Sequence, residues 1–456
     1  MRLLQFIGKD VRGYMNFDIK FRESVTFLIG INGSGKTTVL KLLSGLLTPS
    51  YIDLSQIEYS EIVLSCQRTT DNSTITISSK KKTDEIILKY IDEKNNETVE
   101  SIIPCLEQSI LRKRYDAEII NTERFKRYLF DFYETSVAQK IKEMKTPLFL
   151  GLNRRIIDTN RYDISDRELY FARRRHNLDF MFDNVDEALN DIQEMFYNSI
   201  RQNARRQSAL SDSFRKRVFS ESFRIADDNT IPIIEYNDEL NKLQNRRTEL
   251  NNAIEKLGMK DLSTQFSIFF DSIQKTLEIL SKTSALDSNK TTNPDYVNAL
   301  LKWMTNSIQI EKIDKIIQYA NEYSLNISKL KEPIIRFMDS ANLFFKESNK
   351  IINVNEQGDI NIIIKGAKKA NNLFELSSGE KQLLIMLAHL SFHKQNQRSS
   401  IFIIDEPELS LHISWQELFV DAVLKASPET QFIMATHAPA ILAKPERKEW
   451  CEDLSK

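Results

Sequence analysis

Gly30-Ile31-Asn32-Gly33-Ser34-Gly35-Lys36-Thr37 is the stretch on which the fold turns. Its eight residues match the phosphate-binding pattern G-x-x-x-x-G-K-[ST]. Glycine lets the backbone turn its N–H groups inward around a β-phosphate. Lys36 carries charge to the β/γ oxygens, and the Thr37 hydroxyl is placed to ligate Mg²⁺. The flanks agree. Val25-Thr26-Phe27-Leu28-Ile29 before the loop is a buried-strand pattern, and Val39, Leu40, Leu43, Leu46 and Leu47 after it recur at helical spacing. A helix starting at Thr38 aims its positive end at the phosphates. The nucleotide contacts expected here are Asn32, Gly33, Ser34, Gly35, Lys36, Thr37 and Thr38.

Three further stretches follow in the C-terminal third. Ile401-Phe402-Ile403-Ile404-Asp405-Glu406 is four apolar residues ending in two acids. Asp405 sits at the strand end to hold Mg²⁺, and Glu406 is next in line to polarise an attacking water. Shortly before it, Leu376-Ser377-Ser378-Gly379-Glu380-Lys381-Gln382 offers a hydroxyl at a helix start and a glycine that permits close approach to phosphate. Alone it would be an ordinary N-cap. Thr436-His437-Ala438 puts a histidine after the strand pattern Phe432-Ile433-Met434. Near the N-terminus, Val11-Arg12-Gly13-Tyr14 is either a nucleotide contact or a surface turn with a core aromatic. In the first case Arg12 meets phosphate or adenine and Tyr14 stacks on the base. His389 and His393, four apart, and the solitary His176 show no ligand pattern and read as core or interface residues.

Glycine placement divides the chain. Of 11 glycines in 456 residues, only Gly258 falls between Leu152 and Gln357, and prolines there are limited to Pro232, Pro294 and Pro333. So few breakers predict helix. The expected organisation is an N-terminal lobe at 1–155, a helical insertion at 156–350, a C-terminal lobe at 351–447 and a tail at 448–456. Strands are predicted around Ile62–Cys66, Ile75–Ser78 and Ile86–Tyr90, with a hairpin over 351–364. Within 234–258, Leu240, Leu243, Leu250 and Ile254 have helical spacing. That suits a short coiled-coil arm or an ordinary packed helix equally.

Composition closes off other classes. Hydrophobic residues at 41% and charged residues at 28% suit a globular chain, and 63 basic against 64 acidic residues give a net charge of −1. Global charge therefore announces no nucleic-acid binder. A local basic stretch (Arg201, Arg205, Arg206, Arg215, Lys216, Arg217, Arg224) and Arg173-Arg174-Arg175 are either a nucleic-acid track or a solvated or protein-docking face. Cys66, Cys105 and Cys451 are too scattered for a disulfide framework or zinc site. No apolar run approaches the ~18 residues of a membrane span. A soluble cytoplasmic protein without membrane contact is expected.

The LSSGE stretch, placed shortly before the Asp-Glu strand, resembles the signature motif of the ABC-type ATPase superfamily, and His437 resembles its switch histidine. The fold expected from this is an α/β ABC-type head: a P-loop sheet with an antiparallel β subdomain, interrupted by the helical insertion. Glu406-Pro407-Glu408-Leu409-Ser410-Leu411-His412 departs from the transporter pattern, with His412 where aspartate is usual, and resembles the soluble SMC-like and OLD-like branch. His412 then belongs to a dimer interface or is structural. Val11-Arg12-Gly13-Tyr14 is similar to the F-R-G-F element of that branch. The Q-loop residue is either Gln67 or lies in Gly151-Leu152-Asn153-Arg154-Arg155.

Together with the short insertion, Phe149–Arg155 and EPELSLHISWQ resemble the PtuA family, the ATPase subunits of Septu anti-phage systems, which also occur beside retrons. The resemblance implies ATP and Mg²⁺ as cofactors, with Glu406, Lys36 and His437 catalytic and Thr37 and Asp405 on the metal. It also implies a head-to-tail dimer, open to higher assembly. There Ser377, Gly379 and Glu380 of one protomer face the ATP held by its partner. The partners it implies are a separate HNH nuclease of PtuB type, with DNA or a retron's msDNA and reverse transcriptase as further candidates. No nuclease centre of its own is expected. The other class left open is a DNA-repair or recombination ATPase of RecF/SMC type.

Overall fold

In the structure, a computed structural model, residues 1–48, 50–105, 130–144, 148–150, 156–157, 184–223, 236–256, 261, 263–286, 293–366, 372–392, 401–409 and 411–455 are described. In chain order they begin with β1 (Arg2–Val11), β2 (Met15–Lys20), β3 (Val25–Ile29), α1 (Lys36–Leu47) and α2 (Tyr51–Gln56). Then come β4 (Glu61–Gln67), β5 (Thr74–Lys81), β6 (Glu85–Asp92), β7 (Glu97–Pro104), α3 (Ser136–Glu143), β8 (Leu148–Leu150) and β9 (Ile156–Ile157). The helices α4 (Asn184–Ser222), α5 (Tyr236–Lys256), α6 (Ser263–Leu286) and α7 (Pro294–Phe345) follow. The chain then continues through β10 (Lys350–Val354), β11 (Ile360–Ile364), α8 (Ser378–Phe392), β12 (Ile401–Asp405), α9 (Ile413–Ala426), β13 (Gln431–Ala435) and β14 (Cys451–Asp453).

Two units divide the chain, Met1–Tyr197 with Pro333–Lys456, and Asn198–Glu332. The first holds both large sheets. One is antiparallel, in the order β2-β1-β4-β5-β6-β7. Its strands alternate: Ile62, Leu64 and Cys66, then Ile75 and Ile77, then Ile86, Leu88 and Tyr90 are buried, with partly exposed residues between them. β7 carries a weak strand signal in the sequence, because its alternation buries only Ile103 and leaves Ile102 on the surface.

The other sheet runs β14-β3-β13-β12-β8-β9, with every pair parallel except β8 with β9. Its centre is covered on both faces, so its strands read as unbroken apolar runs. Alternate residues serve different cores. Ile401 and Ile403 pack with Val39, Leu43 and Leu46 of α1, whereas Phe402 and Ile404 pack with α8 and α9. Each such fully buried side chain contributes roughly 1.5–3 kcal/mol. The expected α/β organisation is present: a mostly parallel sheet that carries the 30–37 loop, an antiparallel sheet beside it in the same unit, and a helical middle.

The second unit has a core of its own. Leu243, Leu250 and Ile254 of α5 are buried with Phe270, Ile273 and Leu277 of α6 and with Trp303, Ile310 and Ile313 of α7. That core is shared by three helices and is not a two-stranded seam. Arg246 pairs with Asp314 at 2.7 Å and with Glu239. The unit is narrower than the 156–350 stretch marked by scarce breakers, because the head portions of α4 and α7 bury Leu189, Phe196, Phe337 and Phe344 in the head's core. Arg201, Arg205, Arg206, Arg215, Lys216 and Arg217 are exposed on α4. Arg217 pairs with Glu322 at 2.6 Å and lies 3.9 Å over the Tyr319 ring. Arg173, Arg174, Arg175, His176, Arg224 and His393 lie outside the described residues.

Candidate nucleotide site

The loop between β3 and α1 depends on glycine at two places. Gly35 has φ +92°, and a Cβ there would fall 2.7 Å from Phe17 and 2.9 Å from the Met15 sulfur. Any other residue is strained there whatever the space. Gly30, at φ +147°, is equally enclosed by the Ser34 and Ser455 hydroxyls. Lys36, only 6% exposed, opens α1 and folds back so that its Nζ donates to the Gly30 and Ile31 carbonyls at 2.8 and 3.1 Å. Burial pulls its ammonium below the ordinary value, while the Glu406, Asp405 and Glu408 carboxylates pull the other way. Asn32 and Gly33 are exposed at the loop's tip. The Ser34 hydroxyl is buried with no partner among the described residues.

β12 carries Asp405 to the same place. Burial raises its carboxyl above the ordinary range, and a hydrogen bond with Thr37 pulls it down. Its Oδ1 is buried and has no hydrogen-bond partner among the described residues. A buried, unsatisfied carboxylate oxygen is costly and calls for a ligand. Together with the adjacent Thr37 hydroxyl it forms a pair of hard oxygen donors suited to Mg²⁺. The loop and these donors therefore fit a magnesium–nucleotide.

Glu406 follows in the left-handed region at φ +51°. A non-glycine residue held there stores strain of the kind found at functional positions. Its N–H donates to the Ala435 carbonyl at 2.9 Å, which ties the end of β12 to the end of β13. His437 Nε2 lies 3.7 Å from Glu406 Oε1. Sequence reasoning missed the residue that sets this turn. Glu408 accepts from the Thr436 hydroxyl at 2.9 Å and from the His437 N–H at 2.8 Å. Thr436 in turn caps the Ala438 N–H at 3.0 Å. Glu408 was visible inside ELSLH, but nothing local shows which turn it meets.

Arg12, at the β1–β2 turn with φ +53°, donates from Nε to the Thr38 hydroxyl at 3.1 Å and so stands at the start of α1. Tyr14 is 73% exposed and is no core aromatic. At the signature, Ser377 and Glu380 form a reciprocal capping box. The Ser377 N–H and hydroxyl both donate to Glu380 Oε2, at 2.9 and 3.0 Å, and the Glu380 N–H returns to the Ser377 hydroxyl at 3.4 Å. Lys350 Nζ donates to the other carboxylate oxygen at 2.7 Å. Burial works to raise the Glu380 carboxyl, and Lys350 with the Ser377 bonds outweighs it and holds it low. The structure thus brings Lys36, Thr37, Asp405, Glu406 and His437 together. Ser377 and Glu380 bond to one another, and Glu380 also to Lys350, while Gly379 lies in the first turn of α8.

His412 caps α9, its ring accepting from the Ser414 N–H at 3.4 Å, and His389 is half-buried on α8. Gln67 ends β4 with its side chain on the Asn72 carbonyl at 3.4 Å. The other Q-loop candidate, 151–155, lies outside the described residues. Ile404 pairs with Leu150, which sets the end of β8 beside the end of β12. Among the described residues no helix is long and apolar enough to cross a membrane.

Comparison with known proteins agrees with the motifs. The chain is similar to the Retron Vc95 probable ATPase of Vibrio cholerae serotype O1 biovar El Tor, 26% identical over 197 residues. That match covers 40% of this chain and 37% of that protein. It is also similar to the Retron Ec83 probable ATPase of Escherichia coli, 25% identical over 158 residues, 33% of this chain and 27% of that protein. The chain thus spans well under half the length of these curated relatives. Among solved structures, the SMC head domain from Thermotoga maritima aligns over 97% of this chain and 92% of its own, at 11% identity and a TM-score of 0.35. The Smc head domain from Pyrococcus furiosus, solved with an extended coiled coil and the C-terminal domain of ScpA, gives 13%, 97% and 91% at the same TM-score. A model of the AAA ATPase domain matches residues 1–442, a span that takes in the loop at 30–37, Asp405 and His437, and the chain belongs to that family.

Proposed function

We propose that this ATPase-family chain binds and hydrolyses Mg²⁺–ATP as the regulatory subunit of an anti-phage complex, pairing with a second copy of itself and governing a separate HNH nuclease. The observation that carries the nucleotide reading is the unsatisfied Asp405 Oδ1 beside Thr37, facing the parked Lys36. Magnesium, when bound, neutralises charge on the polyphosphate. Lys36 exchanges two carbonyls for phosphate oxygens. Glu406 orients and polarises the water, and His437, beside it, meets the terminal phosphate. Ser377, Gly379 and Glu380 act in trans on the partner's nucleotide, giving an isologous two-fold dimer. The two retron ATPase relatives support the defence context. DNA, or msDNA with its reverse transcriptase, are further partners in this reading. ATP restrains the nuclease, and nucleotide depletion releases it.

Glu406→Gln should retain nucleotide while slowing hydrolysis by about 10²–10⁴, and Lys36→Ala should lose binding. Parental hydrolysis rates in both variants would refute the site. A plasmid-nicking assay with the protein alone, with an HNH partner and with graded ATP tests the division of labour; cutting by this chain alone would refute it. A second reading, a RecF/SMC-type repair ATPase without a dedicated nuclease, is favoured by the exposed arginines of α4. It predicts ATP hydrolysis stimulated by DNA ends in the absence of any partner.

A further inference from the structure

After His437 the chain returns to the phosphate loop. Arg447, 1% exposed, anchors this return by donating to the Ile441 and Glu417 carbonyls at 2.7 and 3.1 Å and pairing with Asp421 at 2.9 Å. The Trp450 ring stacks near Phe27 with centroids 6.4 Å apart. β14 then runs parallel to β3, with Cys451 opposite Phe27, Glu452 opposite Leu28 and Asp453 opposite Ile29. The Leu454 N–H donates to the Ile29 carbonyl at 2.9 Å. One residue further, the Ser455 hydroxyl accepts the Ile31 N–H at 3.1 Å, while its own N–H bonds the Asp453 carboxylate at 2.9 Å. The family match ends at residue 442, so this strap lies outside it.

The bond falls on one particular peptide. The unit joining Gly30 to Ile31 has its carbonyl held by Lys36 at 2.8 Å and its N–H held by Ser455 at 3.1 Å. Gly30 has no side chain to restrict rotation about that peptide, so outside contacts must fix its plane. Two hydroxyls close on Gly30: a Cβ there would meet Ser34 Oγ at 2.6 Å and Ser455 Oγ at 2.9 Å.

We propose that Ser455 is a positioning residue for the phosphate loop, holding the Gly30–Ile31 peptide so that Lys36 and the loop N–H groups are set before nucleotide arrives. This rests on the ATP reading above. A loop ordered at folding does not have to be ordered at binding, so losing the clamp moves that cost into nucleotide affinity and leaves the chemical step alone.

The test uses the full chain with Ser455→Ala, Ser455→Thr and Lys36→Ala, titrated with Mg²⁺–ADP, alongside kcat for ATP and thermal melting. One exposed hydrogen bond sets the expected loss for Ser455→Ala at roughly two- to tenfold in ADP affinity. The parental kcat and melting temperature should be kept, and Ser455→Thr should restore affinity. Ser455→Ala binding ADP as the parent does, while Lys36→Ala fails to bind, would overturn the clamp and leave the nucleotide site standing. Equal loss in Ser455→Thr would also overturn it. A parent that binds no ADP would overturn the ATP reading and the clamp together.

Discussion

Replacing Glu408 with alanine should separate nucleotide binding from turnover. Glu408 makes no bond to the loop at 30–37; its two oxygens hold the Thr436 hydroxyl and the His437 N–H, at 2.9 and 2.8 Å. Bonds to a charged acceptor are worth about 1.5–3 kcal/mol each. Thr436 is 1% exposed, so its hydroxyl finds no water once the carboxylate is gone and that loss counts in full. The His437 N–H is exposed and water replaces most of its bond. The turn therefore loosens by about 2–3 kcal/mol. His437 sits 3.7 Å from Glu406, and both hang on the ends of β12 and β13 that this turn joins. At 1.36 kcal/mol per tenfold, kcat should fall by about 30- to 160-fold if the whole loosening reaches the histidine. Steady-state phosphate release would measure it, with Mg²⁺–ADP titration as the control. A kcat close to parental, or a matching loss of ADP affinity, would refute the role of Glu408 as a tie between the two strand ends.

Asp405→Asn should abolish ATP hydrolysis yet raise the melting temperature of the nucleotide-free protein. Burial lifts the Asp405 carboxyl in the folded chain. Its share of stability is therefore full below the unfolded carboxylate value of about 3.9 and is lost as pH rises through the raised one. The gain should be roughly 2 °C at neutral pH and vanish near pH 4, and a lower melting temperature at pH 7 would contradict it. Lys350→Met strips the cation from Glu380, which is 6% exposed, and should cost about 1–3 kcal/mol in urea unfolding. Because Glu380 is held low, that cost should shrink as pH drops below the carboxylate range; a cost independent of pH would count against the ion pair. Arg447→Met leaves the Ile441 and Glu417 carbonyls without their donor and should cost about 2–4 kcal/mol, read from the shift of the chemical-denaturation midpoint.

The legible parts of the chain were those whose signal is contiguous. The loop at 30–37 lies between an apolar strand and an amphipathic helix, and the acids after Ile401–Ile404 end a run of four apolar residues. Either could be read without knowing what packs on it. Glu408 was read for its place in ELSLH, because its tie to Thr436 and His437 exists only once β13 arrives beside β12. Lys350 reaches Glu380 from a hairpin thirty positions earlier. β14 is three residues long, below the length at which alternation means anything, and the buried Arg447 that anchors the chain ahead of it lies outside the strand. The scarcity of glycine and proline foretold helices in the middle. It carried no information on where the head's core would claim their ends.

The P-loop strand β3 lies between β13 and β14, and Gln431 reaches across to bond the Leu3 N–H and carbonyl at 2.7 and 2.9 Å. A ribosome making this chain therefore completes the phosphate loop long before the strands on either side of β3 exist. About 400 residues separate Ile29 from Gln431, where β13 begins, which at 5–20 residues per second is roughly 20–80 s. Throughout that interval an apolar strand waits without neighbours, a natural client for a chaperone. In the proposed ATPase, Asp405, Glu406 and His437 join Lys36 only after β12 and β13 emerge, so a chain cut short before them would carry half of the site.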